Sequence, residues 1–207
     1  NTAIGASALA SDTDGQGSTA VGTSALGSQN ITSEGLSRNT GLGYQSGLYN
    51  QTGTRNTYVG YRSGFGNSGD SNSNNTAVGT DSLTAVTTGG SNVAIGSGAL
   101  TSDTTGGQNV AIGGYVNGSY VGAMGANTVG SECIAIGTGA LQTANENDND
   151  GTVAIGVNAC RLQAGTGGAQ YVNATTAIGY SALTALTTGA NNTAVGYQAL
   201  LTEDAGG

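Results

Sequence analysis

The sequence predicts an all-β chain, a parallel β-solenoid or β-roll of about eleven coils. Three observations predict it. A short word ending in Gly recurs along the whole chain, at Gly5, Gly22, Gly43, Gly60, Gly79, Gly96, Gly113, Gly137, Gly156, Gly179 and Gly196. The steps between these glycines are 17, 21, 17, 19, 17, 17, 24, 19, 23 and 17 residues, so 17 is a minimal unit and the excess reads as insertion into loops. No window carries the helical apolar period, and 39 glycines in 207 residues are too many for helices.

The word itself is the strand. The residue before each Gly is a branched aliphatic in every unit: Ile4, Val21, Leu42, Val59, Val78, Ile95, Ile112, Ile136, Ile155, Ile178 and Val195. Ala stands two before the Gly, except at Gly41 and Tyr58, and Thr, Val or Ile stands three before it. β-branched residues suit strands, and the Gly supplies a bend or a close backbone approach. After the Gly, a turn and a short second strand are expected, with a recurring Leu four residues on (Leu9, Leu26, Leu83, Leu100, Leu141, Leu183 and Leu200). Stretches such as TTGGSN (87–92) and TTGANN (187–192) then read as turns in a polar loop. A unit this short cannot bury its own apolar residues, whereas stacked units can, so residues 1–207 form one repeat domain.

Alternation along the word gives each strand two faces. One is β-branched and the other carries Ala and Gly; neither is polar. The expectation is that Ile4, Val21, Val78, Ile95, Ile112, Ile136, Ile155, Ile178 and Val195 fill the coil as its core. The Ala/Gly face would then lie against a second wall or a neighbouring chain, because small residues permit close contact.

Composition excludes several functions. The net charge is -8, and the four basic residues are all Arg (Arg38, Arg55, Arg62 and Arg161), which argues against nucleic acid. No apolar run approaches the roughly 20 residues of a membrane span. There is no His and no Lys to serve as a catalytic base, and the carboxylates are scattered over loops, so an enzyme is not expected. Cys133 and Cys160 fit no zinc or redox spacing and read as buried thiols. The chain starts and stops in mid-rhythm, which suggests part of a longer stack. Joining Gly207 to Asn1 would make a step of 16 residues, so end-to-end stacking of chains stays open.

The words NVAIGSGAL (92–100), IAIGTGAL (134–141) and NTAVGYQAL (192–200) resemble the head repeat of YadA-like trimeric autotransporter adhesins. The minimal unit of that family is shorter than the step found here. The longer phrase GYSALTALTTGANNTAVGYQALLTEDAGG (179–207) resembles repeat regions of phage tail fibres. The resemblance covers essentially the whole chain. It implies a left-handed parallel β-roll, a homotrimer around one axis, and an extracellular setting on a virion tail fibre or a bacterial surface.

Few residues stand out as sites. Glu146, Asp148 and Asp150 precede Gly151 as in the opening of a calcium loop, but Val157 stands where that loop needs a bidentate Glu. Solvated acidic loops are the plainer reading, there and at Asp12 and Asp14, and no cofactor is called for. Tyr44, Tyr61, Tyr180 and Tyr197 each follow a motif Gly. They could stack on glycans, but two pairs lie in adjacent units, which favours a ladder of rings. The insertions near 27–38, 114–132 and 161–174, with Tyr115, Tyr120, Arg161 and Tyr171, are the candidate recognition loops. The second also contains SYVGAMG (119–125), which reads as a degenerate unit.

The function expected is therefore structural: a shaft or head segment of an extracellular fibre involved in host attachment, with a phage tail fibre first and a bacterial adhesin head second. The partners would be further copies of the chain and a cell-surface glycan or receptor. A monomeric solenoid that binds an ordered surface such as ice comes third. It would need its Thr column to face water, and burial of the β-branched face would leave that column inside.

Overall fold

The computed structural model describes residues 1–32, 35–115, 122–143, 150–162, 174–186 and 191–202. Each recurring word forms one three-residue strand. These are β1 (Thr2–Ile4), β2 (Thr19–Val21), β3 (Thr40–Leu42), β4 (Thr57–Val59), β5 (Thr76–Val78), β6 (Val93–Ile95), β7 (Val110–Ile112), β8 (Ile134–Ile136), β9 (Val153–Ile155), β10 (Thr176–Ile178) and β11 (Thr193–Val195). They make one eleven-stranded sheet in chain order, every pair parallel. The register never slips: Ala94 lies against Ala111, and Ala111 against Ala135. With strands about 4.8 Å apart, the stack is a rod on the order of 50 Å long.

The motif Gly is needed twice over. At Gly43 the backbone has φ +134°, and an added Cβ would sit 2.4 Å from the carbonyl oxygen of Gly60 in the next coil. Any side chain would therefore push adjacent coils apart.

The expected second strand is absent among the described residues. The segment after the Gly is a run of turns in which non-glycine residues take left-handed backbone, as at Ser24 (φ 57°) and Leu26 (φ 49°), or Asp81 (φ 52°) and Leu83 (φ 52°). Such conformations cost on the order of 1 kcal/mol each or more. Bonds between coils offset that cost: Ser24 N–H donates to Ala6 O at 2.8 Å, and Leu26 N–H to Ser46 O at 2.9 Å. The leucine side chain, turned inward, is fully buried.

The two strand faces are placed opposite to the expectation. The interior column is the alanines: Ala20, Ala77, Ala94, Ala111, Ala135, Ala154 and Ala177 are all at 0% exposure. The predicted core column points outward. Ile4, Ile95, Ile178 and Val195 are exposed, and Val21, Val78, Ile112, Ile136 and Ile155 are half-buried. The physical reason is room. The interior already holds Leu26, Leu83, Leu100, Met124, Leu141, Cys160 and Leu183, with a second alanine column beside them (Ala25, Ala99, Ala123, Ala140, Ala159 and Ala182). Opposite a leucine column in a coil this narrow, only a methyl group fits.

The two exceptions to the alanine rule compensate each other. Gly41 and Tyr58 are paired across β3 and β4. In the same two coils the leucine positions are Gly47 and Gly64. A Cβ there would lie 2.6 Å from Tyr58 Cδ2 and 2.2 Å from Tyr58 Cε1. One fully buried ring thus occupies the space of the missing leucines. Its hydroxyl donates to Asn72 Oδ1, and burial holds the phenol well above its usual range.

SYVGAMG is not an additional coil. β7 pairs directly with β8, and Ala123 and Met124 supply the interior alanine and leucine positions of the seventh coil.

Candidate functional site

The outer wall is the largest candidate surface. Its first row is the residue that opens each strand: Thr2, Thr19, Thr40, Thr57 and Thr76, then Val93, Val110, Ile134 and Val153, then Thr176 and Thr193. Its second row is the branched aliphatic, with Ile4 at 61% exposure, Leu42 at 46%, Ile95 at 38% and Val195 at 66%. Both rows are exposed or half-buried on every strand. The strand backbone fixes their spacing, so the surface is regular along the whole sheet: a continuous aliphatic row beside a row that is threonine on seven strands and aliphatic on four.

The tyrosines that follow the motif Gly form ladders. Tyr44 and Tyr61 stack with ring centroids 5.5 Å apart and planes at 11°. Tyr180 and Tyr197 repeat this at 5.5 Å and 12°. Stacking uses one face of each ring, and all four tyrosines remain exposed. A third aromatic group lies near the first pair: Tyr49 meets Phe65 edge-on at 5.0 Å, and the Arg62 guanidinium lies 4.4 Å from the Phe65 ring centre.

A column of asparagines, which read in the sequence as turn formers, runs through the interior. Asn39, Asn56, Asn75, Asn92 and Asn109 stand four residues before their motif glycines and are buried. Each accepts from the backbone of the next coil: Asn56 N–H donates to Asn39 Oδ1 at 2.8 Å, Asn75 N–H to Asn56 Oδ1 at 2.9 Å, and Asn92 N–H to Asn75 Oδ1 at 2.8 Å. Each side-chain amide also donates to a loop carbonyl, as Asn75 does to Gly89 and Asn92 to Gly106, both at 2.9 Å. This is a structural ladder, with no open face for a ligand. The signal was in the sequence, since seven of the eleven units have Asn at that position.

The predicted metal residues are not brought together within the described residues. Glu146 and Asp148 lie outside them. Asp150 accepts from Ser131 N–H at 2.6 Å, the role of a loop brace. Asp12 accepts from the Asn1 side chain at 2.7 Å. Among the described residues no three His, Cys, Asp or Glu side chains converge. Cys133 and Cys160 form no disulfide and are buried, in the asparagine and leucine columns respectively, and burial pushes both thiols up to about 12. Thiols held protonated in this way are poor nucleophiles. Tyr120 and Tyr171 lie outside the described residues, as does most of the 161–174 insertion.

Asp103 is the one strongly perturbed carboxyl among the described residues. It is buried and receives Gly106 N–H at 3.0 Å. Burial outweighs that bond and pushes the carboxyl up to about 8. The corresponding residues of other coils, Asn50 and Asn127, receive the same bond from Gly53 at 3.2 Å and Gly130 at 3.1 Å. Asp103 is thus a bracing side chain that happens to titrate.

What the fold and surface define is a parallel β-solenoid repeat protein with a regular outer wall that carries a continuous aliphatic row. Comparisons with protein-family models, curated proteins and solved structures return no match.

Proposed function

We propose that this chain is a structural segment of an extracellular fibre, in which copies associate through the outer wall of the sheet to form a homotrimeric rod. The observation that carries this reading is the aliphatic row of that wall. Contiguous apolar surface of this length on one face marks an interaction site. A partner with the same coil spacing matches it row for row, and a second copy of the chain has that spacing by construction. The likeness of the repeat words to phage tail-fibre regions favours a role in host attachment from a virion. The likeness to trimeric autotransporter heads supports a bacterial surface adhesin as the alternative. In either setting the work is mechanical: a rigid stack holds a receptor-binding element away from a surface.

The particle mass in solution tests the assembly. The expected mass is three times the 19.9 kDa of the chain, independent of concentration. A charge placed in the wall, Ile95→Asp together with Ile178→Asp, should yield monomers that still unfold cooperatively, because these side chains do not fill the coil. Monomeric wild-type protein would sink the assembly reading. A mass that keeps rising with concentration would replace it with end-to-end stacking.

One observation favours the third reading. Thr2, Thr19, Thr40, Thr57 and Thr76 face outward in register on consecutive strands, the arrangement a monomeric solenoid would need to bind an ordered surface. If the protein is a monomer, thermal hysteresis of freezing in its presence is the measurement that decides for this reading.

A further inference from the structure

A cleft of about 330 Å3 opens beside the root of the 114–132 insertion. We propose that it binds a neutral pyranose. The chain leaves the regular coil at Tyr115, whose N–H donates to Ser97 O at 2.8 Å, and rejoins it at Ala123, whose N–H donates to Gly113 O at 3.0 Å. Gly122 packs tightly on the sixth coil: a Cβ there would lie 2.5 Å from Gly98 O. The roots of the loop are therefore fixed, and the cleft between them is a built feature of the roll.

Its lining has the chemistry of a sugar site. Tyr115 gives an exposed ring, at 51%, on which the apolar face of a pyranose can lie. Ser97, Thr101 and Ser102 bring three hydroxyls, and Asp81 brings the one carboxylate. Thr101 already donates to Gly98 O at 2.5 Å, which leaves its oxygen as an acceptor. Among the described residues, Ser97 and Ser102 spend their hydroxyls on no protein group. Asp81 is 41% exposed, and its Oδ1, buried toward Arg62 at 3.9 Å, is too far from it for a hydrogen bond, so the exposed part of the carboxylate is left as an acceptor. A vicinal diol can satisfy such a carboxylate.

Charge narrows the ligand class. The cleft is lined by no Arg, so an acidic sugar or a phosphate would face Asp81 uncompensated. Arg62, 3.9 Å from Asp81, offsets its charge, which disfavours a cation and suits neutral hydroxyls. With a single carboxylate the site can hold a glycoside but lacks the pair that hydrolysis needs. The volume lies at the small end of ligand pockets, the size of one or two sugar rings. All of these residues come from one chain, so the proposal stands apart from the assembly above and fails or holds independently of the particle mass.

The test is titration of the full chain with glucose, galactose, mannose and N-acetylglucosamine, read by saturation-transfer NMR and calorimetry, with tetramethylammonium as the cation probe. At least one of the four sugars is expected to bind saturably and tetramethylammonium is not. Tyr115→Ala and Asp81→Asn should each weaken that binding about tenfold or more, while Tyr180→Ala leaves it unchanged. Both altered side chains are well exposed, and unchanged circular dichroism would show that the variants fold. Absence of saturable binding by any of the four sugars overturns the proposal. So does sugar binding that survives both cleft variants, or binding of tetramethylammonium that displaces the sugar.

Discussion

Between Asn39 and Asn109 one wall of the roll carries five buried asparagines in unbroken succession, whereas from Cys133 to Thr175 the same column is a thiol and two hydroxyls. The strands beside them are indistinguishable: every pair is parallel and in register in both regions. The coils are therefore held by the same sheet but braced differently inside. In the laddered region each asparagine ties its own loop to the next coil's backbone. At Asn109 the asparagine ladder makes its last bond, accepting Cys133 N–H at 3.0 Å, and onward the acceptor that meets the Thr152 and Gly151 backbone is the Cys133 sulfur, a weaker one than an amide oxygen. In a stack where each coil touches only its neighbours, such differences stay local. The coils from β8 to β10 should open first, and the coils from β3 to β7 last.

The sharpest way to break that contrast is Asn75→Ala. It orphans the N–H of Asn92 and the carbonyl of Gly89, which now lie at 2.8 and 2.9 Å from Asn75, while Asn72 Oδ1 loses one donor and keeps the Tyr58 hydroxyl. Buried groups left unpaired cost about 1–3 kcal/mol each, so a loss of about 4 kcal/mol is expected. Urea unfolding would read the total. Hydrogen exchange would read its location, with protection lost around β5 and β6 and retained around β2. A loss below about 1 kcal/mol would mean that the ladder is decoration and that the sheet alone holds these coils.

Asp103→Asn sharpens the comparison through pH. The folded carboxyl is pushed from 3.8 up to about 8, chiefly by burial. Folding therefore takes up a proton, and the stabilising contribution is complete below 3.8 and is lost as pH rises through about 8. Asp70 is shifted the same way by burial and adds to the trend. Wild-type protein should lose about 2–4 kcal/mol between pH 4 and pH 9, and the variant markedly less, because Asn50 and Asn127 already hold the equivalent place without titrating. Parallel melting curves across that range for the two proteins would assign the pH dependence elsewhere.

The coil count, the strand positions and the sheet could be read from the words that end in Gly, because that Gly is forced by both φ and contact with the next coil. Which strand face turns inward could not. Hydrophobicity favours burying Ile over Ala, and the deciding quantity was the width of the coil, which depends on leucines from the turn rather than on the strand. The turn itself was misread because left-handed backbone at Ser24 and Leu26 has no composition signature when the residues are not glycine. The Tyr44–Tyr61 and Tyr180–Tyr197 ladders were legible from adjacency alone. The cleft at Asp81 and Tyr115 was not, because it joins residues from coils whose separation in the chain is set by an insertion.

The smallest expected effect concerns the unladdered region. Thr175 stands in the asparagine column, fully buried, and its hydroxyl has no partner among the described residues. Its backbone is already engaged, with Thr175 O accepting Val153 N–H at 2.8 Å. The side chain therefore carries the cost of a desolvated hydroxyl without the return of a bond. Thr175→Val keeps the shape and removes that oxygen, so the variant should be more stable by about 1 kcal/mol, seen as a rise in Tm. The same exchange cannot be made in the laddered coils, where the polar atoms are bonded on both sides. A gain at Thr175 beside a large loss at Asn75 would establish that the column works through completed bonds and not through polarity as such. A loss at Thr175 would mean that the hydroxyl finds a partner after all, and that the two regions are braced more alike than their side chains suggest.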